Sequence, residues 1–173
     1  MLKIDNFFTF GFVHDTIPYD VVKHFENDIF IDCNSPEAED YEPPAETQKK
    51  LDALHLRLGN WILAPVFRDY DFKGNGLWNG VDDKSSRWHN DFEYSDGFNS
   101  NILVYMEDNE PYGNNISVTD GDAVFTIYPK RNEFVWLNQS NKAYRHKAHH
   151  AAGPRRLLSF EFMIHDLNYG SHN

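Results

Sequence analysis

Cysteine is nearly absent from this 173-residue chain: Cys33 stands alone, so no disulfide can form within it and a reducing, cytoplasmic setting is expected. No apolar run approaches the roughly 18 residues that a membrane helix needs. The opening MLKIDNFFTFGFVHD carries Asp5 and no small-residue cleavage pattern, so no secretory leader is expected. Basic residues are scarce, with 16 Lys/Arg against 27 Asp/Glu and a formal net charge of −11. Nucleic acid is therefore not an expected partner, because phosphate neutralisation dominates that binding. Nucleotide-binding and serine-hydrolase patterns (GxGxxG, GxxxxGK[ST], GxSxG) are missing, as are internal repeats and low-complexity tracts.

What is present is globular: 40% hydrophobic and 16% aromatic residues. The length suits one domain, residues 1–173, with a helical part over about 1–62 and a strand-rich core over about 63–165. PYDVVKHFENDIF places Val21, Val22, Phe25 and Ile29 at helical spacing behind Pro18. PPAETQKKLDALHLRLGNWI puts Leu51, Leu54, Leu58, Trp61 and Ile62 on one helical stripe. Between them, DCNSPEAEDYEPP reads as an exposed loop. From residue 63 onward APVFRDYDF, SRWHNDF, NILVYME, NISVT, DAVFTIY, EFVWLNQ and RRLLSFEFMI read as short strands between Gly, Asn, Asp and Pro clusters. An antiparallel sandwich or barrel backed by helices is the architecture this order implies.

Charge is unevenly placed. Residues 1–128 hold 24 acidic and nine basic side chains, whereas residues 129–173 hold seven basic and three acidic, a stretch suited to receiving a small anion.

The chemistry-bearing pattern begins at His89-Asn90-Asp91. On a strand, His89 and Asp91 would share a face. Two ligands hold a metal poorly, and among the downstream histidines His146 precedes the last strong strand. Two imidazoles and one carboxylate leave one side of a metal open, the donor set of oxygen-activating Fe(II) sites. His149 and His150 compete with His146 for the third place. Trp78, Trp88 and Phe92 flank the pair and read as packing or as pocket wall. His14, His24, His55, His165 and His172 have no constellation around them.

These residues resemble the Fe(II)- and 2-oxoglutarate-dependent dioxygenases, particularly the prolyl-4-hydroxylase-like members. The family pattern is His-x-Asp, a distant downstream His, and an Arg or Lys a short interval beyond it. Here His146 follows His89 by 57 residues, and Arg155 and Arg156 follow His146 by nine and ten. Tyr105 in NILVYMED stands where members often carry a tyrosine, and YPKRNEFVWLN resembles their Pro-x-x-Asn segment. The resemblance covers roughly residues 77–163. It implies a double-stranded β-helix (jelly roll) with N-terminal helices packed on one sheet. It also implies Fe(II) on His89, Asp91 and His146, 2-oxoglutarate as cosubstrate, O2, and ascorbate as an optional reductant. The expected activity is hydroxylation of a peptide side chain or a small molecule, with release of succinate and CO2. Asp91 excludes the halogenating variant, which lacks the carboxylate.

One departure concerns the cosubstrate anchor. Members usually follow the Arg with x-Ser, but RRLLSF puts Leu157 or Leu158 there and Ser159 later. An inward Arg156 brings Leu158, Phe160 and Phe162 with it. An inward Arg155 brings Leu157, Ser159, Glu161 and Met163, and leaves Glu161 in need of a partner. The apolar set favours Arg156, a guanidinium suited to bidentate carboxylate binding, with Tyr105 as a further donor. Two rivals remain: a jelly-roll ligand-binding protein without turnover, and a cupin-like metalloenzyme independent of 2-oxoglutarate. The substrate-facing loops are expected over 66–88 and around EPYGNN; oligomeric state has no signature.

Overall fold

The computed structural model describes residues 3–38, 40–82, 84–93, 97–108, 115–149 and 153–167. The second half of the chain folds into strands: β3 (Tyr70–Asn79), β4 (Ser100–Tyr105), β5 (Ile116–Thr119), β6 (Val124–Ile127), β7 (Glu133–Asn138), β8 (Arg145–Ala148) and β9 (Arg156–Ile164). Of these, β4, β5, β6, β7 and β9 fall on expected segments, β3 runs beyond the expected APVFRDYDF, and β8 has no expected counterpart. Before them come α1 (Ile4–Thr9), β1 (Phe12–Thr16), α2 (Val22–Phe25), β2 (Ile31–Asp32) and α3 (Ala45–Leu58), which runs on into a π-helical turn, Gly59–Leu63. The chain is mainly β. No helix among the described residues is long and apolar enough to cross a membrane.

A six-stranded sheet has the order β1-β7-β4-β9-β3-β2, and a three-stranded sheet has the order β6-β5-β8. All pairings are antiparallel except β2 with β3. Central β4 is buried at all six positions because both faces of the large sheet are covered. On one face Ile102, Val104, Phe134, Trp136, Leu158, Phe160 and Phe162 meet the helices through Phe7, Leu51, Leu58 and Ile62. On the other, Leu103, Tyr105, Val135, Leu137 and Leu157 meet Ile116, Val118 and Ile127 of the small sheet. Strand alternation therefore divides β9 between two interiors: even-numbered residues serve the helices and odd-numbered ones face the small sheet.

Trp136 shows how tightly the helix side is packed. It has no exposed surface, stacks on Phe7 at 4.0 Å between ring centroids, and donates from Nε1 to Ser100 Oγ at 2.6 Å. Truncating such a side chain to alanine costs about 3–5 kcal/mol. The α3 stripe is realised, with Leu51, Leu54, Leu58 and Ile62 buried. Gly59 lets the helix end approach β3, where a Cβ would stand 2.7 Å from the Phe72 ring. Asn132, at φ 66°, turns the chain into β7. Its side chain donates to the carbonyls of Ile17 and Tyr19 and accepts from the Val21 amide, tying the N-terminal part to the sheet.

Three expectations are corrected. The helix expected over PYDVVKHFENDIF forms only the single turn α2, and Ile29 is 68% exposed rather than on a buried stripe, because the chain leaves the helix to pair β2 with β3. The segment SRWHNDF is no strand: His89 makes one isolated bridge and Asp91–Glu93 is a 3-10 turn. Residues 1–62 are not purely helical, since β1 forms an edge of the large sheet.

Candidate metal and anion site

His146 lies on β8 of the small sheet, where its neighbours Arg145 and Lys147 point the other way. His89 reaches it through two backbone hydrogen bonds, His89 N to His146 O at 3.0 Å and His146 N to His89 O at 2.8 Å. Asn90 fastens the same segment by donating from Nδ2 to the carbonyls of Asn141 and Tyr144. The fold thereby collects one ligand atom each from His89, Asp91 and His146 within 4.8 Å of one another. The shared face expected of a strand is supplied by the bridge and the following 3-10 turn.

Each ligand atom is oriented by a partner. His89 donates from Nδ1 to the Arg87 carbonyl at 2.7 Å, which turns Nε2 towards Asp91 Oδ1 at 3.2 Å. His146 Nε2 stands 3.7 Å from Asp91 Oδ2. Gln139 clamps Asp91 twice: its Nε2 donates to Oδ2 at 2.7 Å, and its Oε1 accepts from the Asp91 amide at 2.5 Å. Such outer partners fix ligand geometry and strengthen metal binding.

The electrostatics suit a cation. Burial pushes His146 down to about 4, against the pull of Asp91 and helped by His89 and Arg155, so its ring is neutral. Burial would raise Asp91, but its electrostatic coupling to His146 and the hydrogen bonds from His89 and Gln139 hold it well below the usual carboxylate range. For His89, burial is outweighed by the Asp91 hydrogen bond and the Arg87 carbonyl, and the net direction is upward. A neutral imidazole and a carboxylate are the forms that ligate a metal.

The three side chains open into a cavity of about 760 Å³ between the two sheets. Arg155, only 5% exposed, lines it, with Nη1 donating to the Gly80 carbonyl at 3.3 Å. Its guanidinium carbon lies 5.9 Å from the centroid of the Tyr105 ring. Two buried polar atoms, Arg155 Nε and the hydroxyl of the neighbouring Tyr105, have no hydrogen-bond partner among the described residues. Burial raises the Tyr105 hydroxyl, with Arg155 opposing, so the phenol stays a donor. A buried guanidinium with an unspent Nε, beside a phenol donor, is a receptor for a carboxylate. The residues present thus fit both a divalent metal and an anionic group beside it.

Arg156 points away from this cavity, contrary to the expectation. Its Nε donates to Glu107 Oε1 at 2.5 Å, its amide donates to Glu107 Oε2 at 2.9 Å, and its guanidinium lies 5.2 Å from the Phe30 ring centroid. Leu158, Phe160 and Phe162 do share a face with Arg156 and line an apolar interior, but it is the one under the helices. Trp78 lines the cavity and donates to Ser159 Oγ at 2.8 Å, whereas Trp88 sits at the surface with Lys147 5.0 Å over its ring. Phe92 is half-buried. His149 is held by Ser117 at 2.8 Å, outside the metal-ligating group. His150, His172 and most of EPYGNN lie outside the described residues. Sequence reasoning did not find Gln139, which looks like an ordinary polar residue after a strand.

No family model and no curated protein sequence matches the chain. Solved structures do. A prolyl-4-hydroxylase from Pseudomonas putida aligns with a TM-score of 0.57 at 18% identity, over 93% of this chain and 92% of that one. HygX from Streptomyces hygroscopicus, solved with nickel, 2-oxoglutarate and hygromycin B, aligns with a TM-score of 0.61 at 14% identity, over 95% and 87%. The non-heme alpha-ketoglutarate-dependent epimerase SnoN gives 0.64 at 12% identity, over 92% and 81%. The chain has the fold of these oxygenases, and within it His89, Asp91 and His146 form a group able to hold a metal.

Proposed function

We propose that the chain is an Fe(II)- and 2-oxoglutarate-dependent oxygenase, built as one jelly-roll domain with its N-terminal helices packed on the large sheet. One observation carries the reading: the His89-Asp91-His146 group and the buried Arg155, whose Nε has no partner among the described residues, line the same cavity, with Tyr105 packed beside Arg155. His89, Asp91 and His146 hold the iron, and Gln139 keeps Asp91 facing it. Arg155, rather than Arg156, anchors the remote carboxylate of 2-oxoglutarate, and Tyr105 donates a further hydrogen bond. Bound together, iron and cosubstrate supply oxygen-driven hydroxylation of a C–H bond with release of succinate and CO2. The protein's share is to orient the second substrate over the open side of the site and to exclude water. That substrate is a peptide side chain or a small molecule, and the setting is cytoplasmic.

Anaerobic titration of 2-oxoglutarate into the Fe(II)-loaded protein tests this. A visible charge-transfer band in the wild type that His146→Ala lacks supports iron, cosubstrate and third ligand together. Metal demonstrably bound without any band rules out the 2-oxoglutarate assignment.

A further inference from the structure

Along β9 from Arg155, the alternate residues Leu157, Ser159 and Glu161 also line the cavity. At ~3.3 Å per residue, Glu161 stands roughly 20 Å along the chain from Arg155. The cavity therefore has a cationic end and an acidic end, with the metal-ligating group opening into the same space. The anchoring of a dicarboxylate uses the first end and leaves the second unexplained.

The acidic end is built for its carboxylate. The β3–β9 register shifts between Phe72 and Asn75, and Gly74 falls within that irregularity. Glu161 Oε2 occupies the place beside Gly74 where any Cβ would collide with it. Across the sheet, Glu161 pairs with Asn101 of β4. Asn101 is 6% exposed, lines the same cavity, and its Oδ1 is buried without a hydrogen-bond partner among the described residues. None of the ion pairs among the described residues includes Glu161. The charges that act on it are Asp91, which repels, and Lys84, whose pull is the weaker. Burial and Asp91 push its carboxyl up to about 7, against a hydrogen bond from the Gly74 backbone.

Two acceptors, one of them ionisable, thus converge on one wall: the Gly74 backbone amide donates to the Glu161 carboxylate without compensating its charge, and Asn101 Oδ1 has no donor among the described residues. A neutral hydroxyl would satisfy Asn101 and leave the carboxylate uncompensated. A second anion would be repelled. An ammonium brings three donors and a compensating charge. We infer that Glu161 and Asn101 form the recognition subsite for the second substrate, and that this substrate carries a cationic nitrogen group, an amine or a guanidine. Its role as a substrate subsite rests on the oxygenase reading above; its ligand chemistry rests on the cavity wall alone. The group can belong to a small polyamine-like molecule or to a lysine-type side chain of a peptide.

Calorimetric titration with paired probes tests the inference. The probes are cadaverine for the small-molecule source and the methylamide of Nα-acetyl-lysine for the peptide source, each against its N-acetylated form. Titrations are run on the metal-free chain and on the Fe(II)- and 2-oxoglutarate-loaded chain under anaerobic conditions. At least one amine should bind tenfold or more tighter than its acetylated form, and which one does so identifies the source. Glu161→Gln, an isosteric change, should erase the preference while keeping the charge-transfer band, which also shows that the variant folds. Gly74→Ala, which displaces the carboxylate, should weaken amine binding in the same direction. Equal binding of amine and acetylated form, a preference that survives Glu161→Gln, or no binding by either amine would overturn the inference. Loss of the charge-transfer band in the wild type would instead strike at the oxygenase reading and leave the amine comparison on the metal-free chain intact.

Discussion

Replacing Arg155 by leucine removes the one guanidinium among the residues lining the cavity, whereas the same change at Arg156 leaves the cavity untouched. A charge-assisted hydrogen bond contributes about 1.5–3 kcal/mol, so a bidentate guanidinium–carboxylate pair is worth roughly 3–6 kcal/mol. Arg155 already gives Nη1 to the Gly80 carbonyl, which commits part of its fork and points to the lower half of that range. A loss of about 3–4 kcal/mol corresponds to roughly a hundred- to a thousandfold weaker 2-oxoglutarate binding. Burial keeps solvent from screening the effect. Arg156 is 30% exposed at its side chain and pairs with Glu107, so Arg156→Leu should cost about 1 kcal/mol of stability and change 2-oxoglutarate affinity less than about twofold. Charge-transfer titration of both variants under anaerobic conditions, with thermal melts alongside, reads both quantities. A larger affinity loss for Arg156→Leu than for Arg155→Leu would refute the reasoning, as would two unaffected variants.

Two other outcomes follow from the same geometry. Gln139→Leu deletes both hydrogen bonds that hold Asp91, and iron affinity should fall about 10- to 100-fold with the fold intact, measured by competition with a chelator. In the metal-free chain Glu161 keeps a proton up to about 7, above its ordinary 4.5, so the folded state binds more protons than the unfolded state across that window. Stability therefore falls as pH rises from about 4.5 to about 7, and Glu161→Gln lacks that loss. Relative to wild type the variant should gain about 1–3 kcal/mol between pH 4.5 and 8 in urea unfolding, and parallel curves would contradict the assignment.

How much was legible in the sequence depended on how local the signal was. His89, Asp91 and His146 were singled out by type and spacing, and the fold brings their ligand atoms within 4.8 Å. The long apolar alternations of β4, β7 and β9 and the stripe of α3 were equally plain. Illegible were elements whose form is set by a distant partner. Strand β8 carries charges at Arg145 and Lys147 and takes its strand form from pairing with β5. Ile29 has helical spacing, yet the chain turns out to reach β3. The orientation of β9 misled for a further reason: with two buried layers, the presence of an apolar face does not say which layer it enters, so Arg156 was expected in the cavity that Arg155 lines. Gln139 has no sequence signal, because its role exists only once the loop after β7 comes to rest on Asp91.

The split personality of β9 has a consequence for changing what this protein accepts. Positions 158, 160 and 162 bear the weight of the helical layer and 157 packs in the core between the sheets, while 159 and 161 face the cavity. Variation confined to positions 159 and 161 alters the chamber without loosening the scaffold behind it. A combinatorial library at Ser159 and Glu161 should thus keep most members folded while spanning a wide range of ligand preference, and the same diversity placed one residue over should yield mostly insoluble protein. Adaptability and robustness here occupy opposite sides of one ribbon of chain.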